Sequence, residues 1–404
     1  MRIETLTWSQ EHGWSGPFPP ATPERTLILA FGESAFLDDP APLAELVAAY
    51  PDAAVTGSSG AGQFATMLQP TPGQGPTSGV RLDPAPLIVT VVTFDQVRVR
   101  TAAVCLGSCT SRQAGQELAE QSRPDDTALF VLSSGANVNG DQLIDGIVDG
   151  LIRTRPAGTP ALPVSGGLAG DGDRFQRTWV LVGQAPLRTA VVGVFLTGDA
   201  LQVGHGSAGG WGIFGPPRRV TRSDGNVLYE LDGQPALELY KRYLGDRAAG
   251  LPATALLFPL ALHTEDGGEP IVRTILAIDE TAQSLTFAGD IPQGSTAQLM
   301  RSTRDRLVEA AAAAAQTAAD DIRQTGGGDA GEPAKWLAIA VSCVGRRLCL
   351  GERTEEELDA ALEGLAPNTT LTGFYSYGEI ALARGGRTRM HNQTMTLTVL
   401  GERG

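Results

Sequence analysis

One pattern recurs three times along this chain of 404 residues: an apolar strand, a helix, a second strand, then a glycine-bearing loop. The last copy is the clearest and runs from Trp336 to Glu379. WLAIAVSC reads as a buried strand ending at Ser342-Cys343, and a capping box spans Thr354 to Glu357. Leu358, Ala361, Leu362 and Leu365 fall at helical spacing, Pro367 stops the helix, and Thr369–Thr372 begins a second strand that ends in Gly373. Two strands joined this way lie parallel, with a right-handed crossover. Leu27–Gly32, a helix through Leu43, Leu46, Val47 and Tyr50, and AAVTGSSGAGQ form another copy. Ala128–Ser134, a helix through Leu143, Ile144, Ile147, Val148 and Leu151, and LPVSGGLAGD form the third. Each ends in Thr or Ser, then Gly, then a short run closed by Gly and Gln63, Asp171 or Glu379. Ligands of open α/β sheets sit at the carboxyl ends of parallel strands. The expected fold class is therefore mixed α/β, and these three loops are where a pocket belongs.

The segments between the copies read differently. Residues 1–25 are polar, end in a Pro-rich stretch and read as a lead-in. Leu87–Phe94 and Val97–Val104 read as a hairpin turning at Asp95-Gln96, and Ser108 or Thr110 can cap the helix that follows. Thr178–Val182, Ala190–Leu196 and Leu201–Gly204 read as an antiparallel meander. Gln69–Gly79 and the GGGDAGE run after an alanine-rich helix (Thr303–Arg323) read as loops. A boundary near Ser223 divides the rest into two domains, 26–223 and 224–404.

Charge and motifs exclude several function classes. A net charge of −14 argues against nucleic acid and against anionic membrane surfaces, both of which call for clustered Lys and Arg. No apolar run approaches the roughly 18 residues of a membrane span, and the N-terminus lacks the charged start and apolar core of a signal peptide, so a cytoplasmic location is expected. Cys105, Cys109, Cys343 and Cys349 lack zinc-knuckle spacing, and no GxSxG, HExxH, CxxC or DxDxDG motif occurs. Lys241 and Lys335 are the only lysines, and with abundant Arg, Ala and Gly this reads as the composition of a GC-rich bacterium.

Four motifs in order, GNVLYELDGQPALELY (Gly225–Tyr240), LTFAGDIPQG (Leu285–Gly294), GFYSYGEIA (Gly373–Ala381) and HNQTMTLT (His391–Thr398), resemble the FIST family, a two-part N-terminal and C-terminal sensory module. The likeness covers about Arg25 to Leu400. It implies an intracellular small-ligand sensor rather than an enzyme. Amino acids or related carboxylates are the suggested ligands, and a separate histidine kinase or cyclic-dinucleotide enzyme the partner. One branch of the family is associated with haem and nitric oxide, which leaves haem open as a cofactor here, with His205 and His391 as the candidate ligands.

Within these motifs Glu379 and His391 are the foremost pair for a ligand, beside the Tyr375-Ser376-Tyr377 loop and Asn392. Their alternative role is a structural hydrogen bond. Arg346 can grip a carboxylate bidentately. Cys343, just ahead of Arg346-Arg347, is a candidate thiol nucleophile that would pair with His391, or a plain core thiol. Gly57, Ser58 and Ser59 read as an anion cradle at a helix start, and Gly166, Gly167 and Asp171 as a ligand loop, with tight turns as the competing reading of both. His205, near Trp211, is either a ligand clamp or a turn residue. A ligand-free scaffold for a signalling partner is the remaining reading.

Overall fold

The computed structural model describes residues 1–69, 77–107, 109–156, 158–263, 270–325, 333–382 and 386–403. Residues 70–76 of the expected loop Gln69–Gly79, the GGGDAGE run and the Ser108 cap lie outside these residues, whereas Gln69 and Thr77–Gly79 belong to paired strands and not to a loop. The chain folds as three repeats. The first contains β1 (Arg2–Ser9), β2 (Thr26–Gly32), α1 (Ala41–Ala49), β3 (Ala54–Ser59), β4 (Gln63–Gln69), β5 (Thr77–Leu82) and β6 (Leu87–Thr93). The second contains β7 (Arg98–Cys105), α2 (Ser111–Ala119), β8 (Asp126–Ser133), α3 (Gly140–Thr154), β9 (Val164–Leu168), β10 (Val180–Val182), β11 (Ala185–Leu187) and β12 (Ala190–Thr197). The third contains β13 (Leu201–Ala208), α4 (Arg304–Thr325), β14 (Trp336–Cys343), α5 (Val344–Leu350), α6 (Thr354–Glu363), β15 (Thr369–Ser376), β16 (Gly378–Leu382), β17 (Thr388–His391) and β18 (Met395–Glu402). Between β13 and α4, residues 212–301 form a separate antiparallel module around the helix Ala236–Leu244.

Each repeat builds one sheet to the same plan. The orders are β11-β10-β3-β2-β6-β1, β17-β16-β9-β8-β12-β7 and β5-β4-β15-β14-β18-β13. The predicted parallel pairs are β2 with β3, β8 with β9 and β14 with β15. The hairpin after each second parallel strand joins a neighbouring repeat's sheet. Repeat 1 gives β4–β5 to sheet 3, repeat 2 gives β10–β11 to sheet 1, and repeat 3 gives β16–β17 to sheet 2.

The three sheets enclose one apolar centre. Leu27, Leu29 and Phe31 from β2, Ala128, Phe130 and Leu132 from β8, and Leu337, Ile339 and Val341 from β14 occupy matching positions in it. The alternate residues face outward under helices. Ile28 and Ala30 pack with Leu43 and Leu46 of α1, Leu129 and Val131 with α2 and α3, and Ala338 and Ala340 with alanines of α4. Burial on both faces explains why these strands read as continuous apolar runs rather than alternating ones. The alanines of α4 let it lie against β13, where a Cβ at Gly206 would meet Ala314 O at 1.9 Å.

The connections differ from the sequence reading. β6 and β7 do not form a hairpin: β6 pairs with β1 and β2 in sheet 1, and β7 with β12 in sheet 2. The amides of Asp95, Gln96 and Val97 at this crossing donate to the Glu402 carboxylate at 2.7, 2.5 and 2.7 Å. The expected meander is likewise spread over three sheets, with β10 in sheet 1, β12 in sheet 2 and β13 in sheet 3. A short polar link fits a crossing between sheets as well as a tight turn, so local pattern could not separate the two. The lead-in contributes β1, which pairs with β6 from Arg2 to Trp8, and Gly13–Trp14, which pairs with the end of β1 at the sheet's edge. Ser223, where the sequence halves were divided, lies in the strand Arg218–Asp224 of the 212–301 module.

The three [TS]-G glycines are not turn residues. Gly57, Gly166 and Gly373 sit inside strands, where an added Cβ would meet Ala30 O, Val131 O and Ala340 O at 1.8, 1.9 and 1.8 Å. These contacts are backbone, so nothing flexible can give way. Gly373→Ala should therefore lose about 2–4 kcal/mol in chemical denaturation, whereas Gly16→Ala, whose Cβ finds only Leu6 Cδ2 at 3.8 Å, should stay within about 0.5 kcal/mol.

Candidate functional site

The loops at the carboxyl ends of the parallel strands do converge. Ala61 N donates to Tyr375 O at 2.7 Å, Gly170 N to Ser59 O at 3.0 Å, and Tyr377 N to Leu168 O at 3.2 Å. Each bond runs from one repeat to the end of the second parallel strand of another, so the three form a closed ring. Beside the ring lies a cleft of about 490 Å³. Gly60 to Gln63, Asp171 to Arg174, and Val344, Arg347 and Leu348 wall it, together with Glu33, Ser34 and Asp83.

Two arginines shape this cleft. Arg347 donates to Ala61 O and reaches Asp83 at 2.5 Å. Arg174 donates through Nε to Asp171 O at 2.8 Å and through Nη2 to Ser34 Oγ at 2.9 Å, while most of its side chain stays exposed. Asp171 is buried and accepts the Tyr377 hydroxyl and the amides of Gln176 (3.2 Å) and Arg177 (2.7 Å). It thus folds its own loop. Glu33 and Asp173 stand exposed at the rim. Sequence reasoning missed Glu33, Ser34, Asp83, Arg174 and Arg347. It followed the end of each second parallel strand, and much of this cleft comes from the turn after the first strand of repeat 1 and from α5.

The GSSGAGQ segment runs into strand β4, not into a helix, so its helix-start reading does not hold. Ser58 is fully buried, and Ser59 Oγ accepts the Trp179 amide at 3.0 Å. Gly57, Gly166 and Gly167 are strand residues and do not line the cleft. Register also revises the equivalence of the closing polar residues. Gln63 opposes Phe374 and Glu379 opposes Gly167, but the matching position of repeat 2 is Val180, opposite Ser58. Asp171 belongs to a longer loop inserted before it.

Of the foremost pair, Glu379 lies inside the protein and His391 is partly buried. Glu379 and His391 are opposite one another across β16 and β17, yet different neighbours answer them. Glu379 is fully buried and accepts from Ser376 Oγ (2.6 Å), Thr394 N (3.1 Å) and Thr394 Oγ1 (2.9 Å). Burial raises its carboxyl to about 7. His391 is lowered to about 4 by burial and by Arg273. Asn392 is buried and donates to Tyr377 O at 3.4 Å. His205 lies on β13, its amide bonded to Asp321, so the two histidines weighed for haem stand in different sheets.

Arg346 turns inward. Its Nε and Nη2 donate to Glu357 at 3.0 and 2.6 Å, with Nη2 also on Leu307 O at 2.8 Å; both side chains are wholly buried. Glu357 further accepts from Tyr375 OH (2.7 Å) and Ser342 Oγ (3.1 Å). The expected capping box is therefore absent: Glu357 is drawn to the guanidinium, and Thr354 Oγ1 donates to Gly351 O at 2.5 Å. Cys343 is buried, and burial with the nearby Glu379 raises its thiol, leaving little thiolate for nucleophilic chemistry at neutral pH.

Two outcomes follow from these buried charges. Glu357→Ala should cost about 3–5 kcal/mol in denaturant unfolding, because it strands the Arg346 guanidinium in the core. Glu379 has its folded value raised from 4.5 to about 7, so the folded state holds a proton that the unfolded chain releases. Its contribution to stability is present below 4.5 and falls as pH rises to about 7, by up to about 1.4 kcal/mol per pH unit. Glu379→Gln should remove that slope from stability measured between pH 4.5 and 7.

Among the described residues no helix is long and apolar enough to cross a membrane. A comparison with curated proteins gave no match. Among solved structures, cyanuric acid hydrolase from A. caulinodans aligns over 100% of this chain and 98% of its own at a TM-score of 0.36 and 9% identity, too weak a likeness to carry an argument. The FIST N domain profile matches residues 26–234 and the FIST C domain profile residues 236–382. With most of its length accounted for by these two domains, the chain belongs to the FIST family, whose domains are associated with small-ligand sensing in signal transduction.

Proposed function

We propose that this protein senses an amino acid or other small carboxylate in the strand-end cleft. One observation carries the reading: loops of all three repeats wall a cleft of about 490 Å³ in which guanidinium and carboxylate groups stand side by side. That volume falls within the usual range for small-molecule sites, about 300–1,000 Å³. Arg174, exposed at the rim, is the anchor for a ligand carboxylate, and Glu33 and Asp173 suit an ammonium group. Val344 and the exposed Leu348 offer apolar contact to a side chain.

The ring of backbone bonds supports a sensing role for the same cleft. A ligand that bridges Asp171–Arg174 and α5 touches two repeats at once, and any difference in its affinity for two loop arrangements shifts their balance. A separate signalling protein, such as a histidine kinase or a cyclic-dinucleotide enzyme, then reads the change.

A thermal-shift screen of the purified chain against the common amino acids and small carboxylic acids tests this. A ligand at about a hundred times its dissociation constant adds about 2.7 kcal/mol. A selective rise in melting temperature that Arg174→Ala removes is expected. No rise with any compound of the panel rejects the amino-acid and carboxylate assignment.

A further inference from the structure

The 212–301 module meets repeat 2 through charged groups. Asp141, in the first turn of α3, accepts from Arg273 Nη2 at 2.5 Å and from Asp290 N at 2.7 Å. Asn139 Nδ2 donates to Asp290 Oδ1 at 2.7 Å. Next to these contacts lies a cleft of about 260 Å³ walled by α3, by the module and by β17. It shares no lining residue with the strand-end cleft.

The charges around this second cleft are unevenly matched. Asp141, Asp145 and Asp290 face it with Arg273, Arg387 and Arg389. Asp141 and Asp290 have the donors just described. Asp145 is shared by Arg112 at 3.4 Å and Arg387 at 3.5 Å. Arg273 is held by Asp141. Arg389 is half-buried, and among the described residues its guanidinium has no hydrogen bond or ion pair to an acceptor. His391 is two residues further along β17, so its side chain leaves the strand on the same face as Arg389. Its charged neighbours are Arg273 and Arg389, and its Nε2 is buried without a hydrogen-bond partner.

The Arg389 guanidinium stands at the cleft without a protein acceptor, and the His391 Nε2 near it is buried without a partner, which leaves a place for one anion. We propose that this cleft binds a small oxyanion, a carboxylate or a phosphate, between Arg389 and Arg387, with His391 close behind Arg389. The volume suits an ion of a few non-hydrogen atoms rather than a nucleotide. Since α3 and β17 form one wall and the module the other, the bound anion fastens the module to the three-sheet body. The site and its test are independent of the ligand assigned to the strand-end cleft.

Calorimetric titration of the full chain with inorganic phosphate, and separately with succinate, tests the assignment at ionic strength fixed with sodium chloride. Binding of at least one anion is expected, weakened at least tenfold by Arg389→Gln and weakened less by Arg389→Lys. Ring-proton resonances of His391 should titrate at higher pH in the saturated protein than in the free one, since an anion offsets the repulsion from Arg273 and Arg389. Phosphate binding alone identifies a phosphorylated ligand, and succinate binding alone a carboxylate. Failure of both anions to bind at millimolar concentration, or binding that a folded Arg389→Gln or Arg389→Lys protein retains in full, overturns the proposal.

Discussion

The architecture depends on how closely parallel backbones approach at three glycines. Gly57, Gly166 and Gly373 each leave no room for a Cβ against the carbonyl of the neighbouring strand. That closeness lets the following loops reach one another and exchange the bonds Ala61–Tyr375, Gly170–Ser59 and Tyr377–Leu168. Had the strands been held apart by side chains, the loops would face water separately, and there would be neither a ring nor a shared cleft beside it. The same residue type at the same register in all three repeats is thus a constraint of contact distance, since only Gly166 of the three has a positive φ.

Beneath the ring the protein accepts charged groups that burial disfavours. Arg346 and Glu357 are matched by several hydrogen bonds each, which is what makes a buried pair tolerable. Glu379 has hydroxyl and amide donors but no cation bonded to it, and its raised proton affinity is the result. The two carboxylates therefore differ in kind, one paired with a guanidinium and the other held by neutral donors and raised to about 7. Glu357 ties the ends of β14 and β15 together behind the cleft, and Glu379 ties the end of β15 to Thr394.

Much of the repeat structure was legible because a strand buried on both faces must be apolar throughout and a glycine without space for a Cβ cannot vary. Helix α3 was legible in its apolar stripe from Leu143 to Leu151, and Asn139 starts it by accepting the Gln142 amide. What stayed hidden was which sheet each strand joins. Asp95-Gln96 carries the signature of a turn, but Glu402, some three hundred residues away, takes up its amides, and no local pattern encodes that. The site was hidden for a related reason. Arg346 and Arg347 are adjacent and chemically alike, yet the helical turn of α5 sends one to Glu357 in the core and the other to Asp83 at the cleft. Glu357 looked like a capping residue because its spacing from Thr354 is right, and a buried guanidinium is a stronger attraction than an exposed amide.

The cyclic exchange of hairpins has a consequence for how the chain comes together. Since β4–β5 completes sheet 3, β10–β11 sheet 1 and β16–β17 sheet 2, no repeat contains all the strands of its own sheet. The partner of β4, β15, is made about three hundred residues later, so the first hairpin waits with an open edge until nearly the whole chain exists. Pairings this distant in sequence cost loop-closure entropy before they return any contact, which slows folding and lengthens exposure of strand edges. The halves that the two domain profiles delimit are therefore units of sequence and not of assembly: the three sheets close together or not at all.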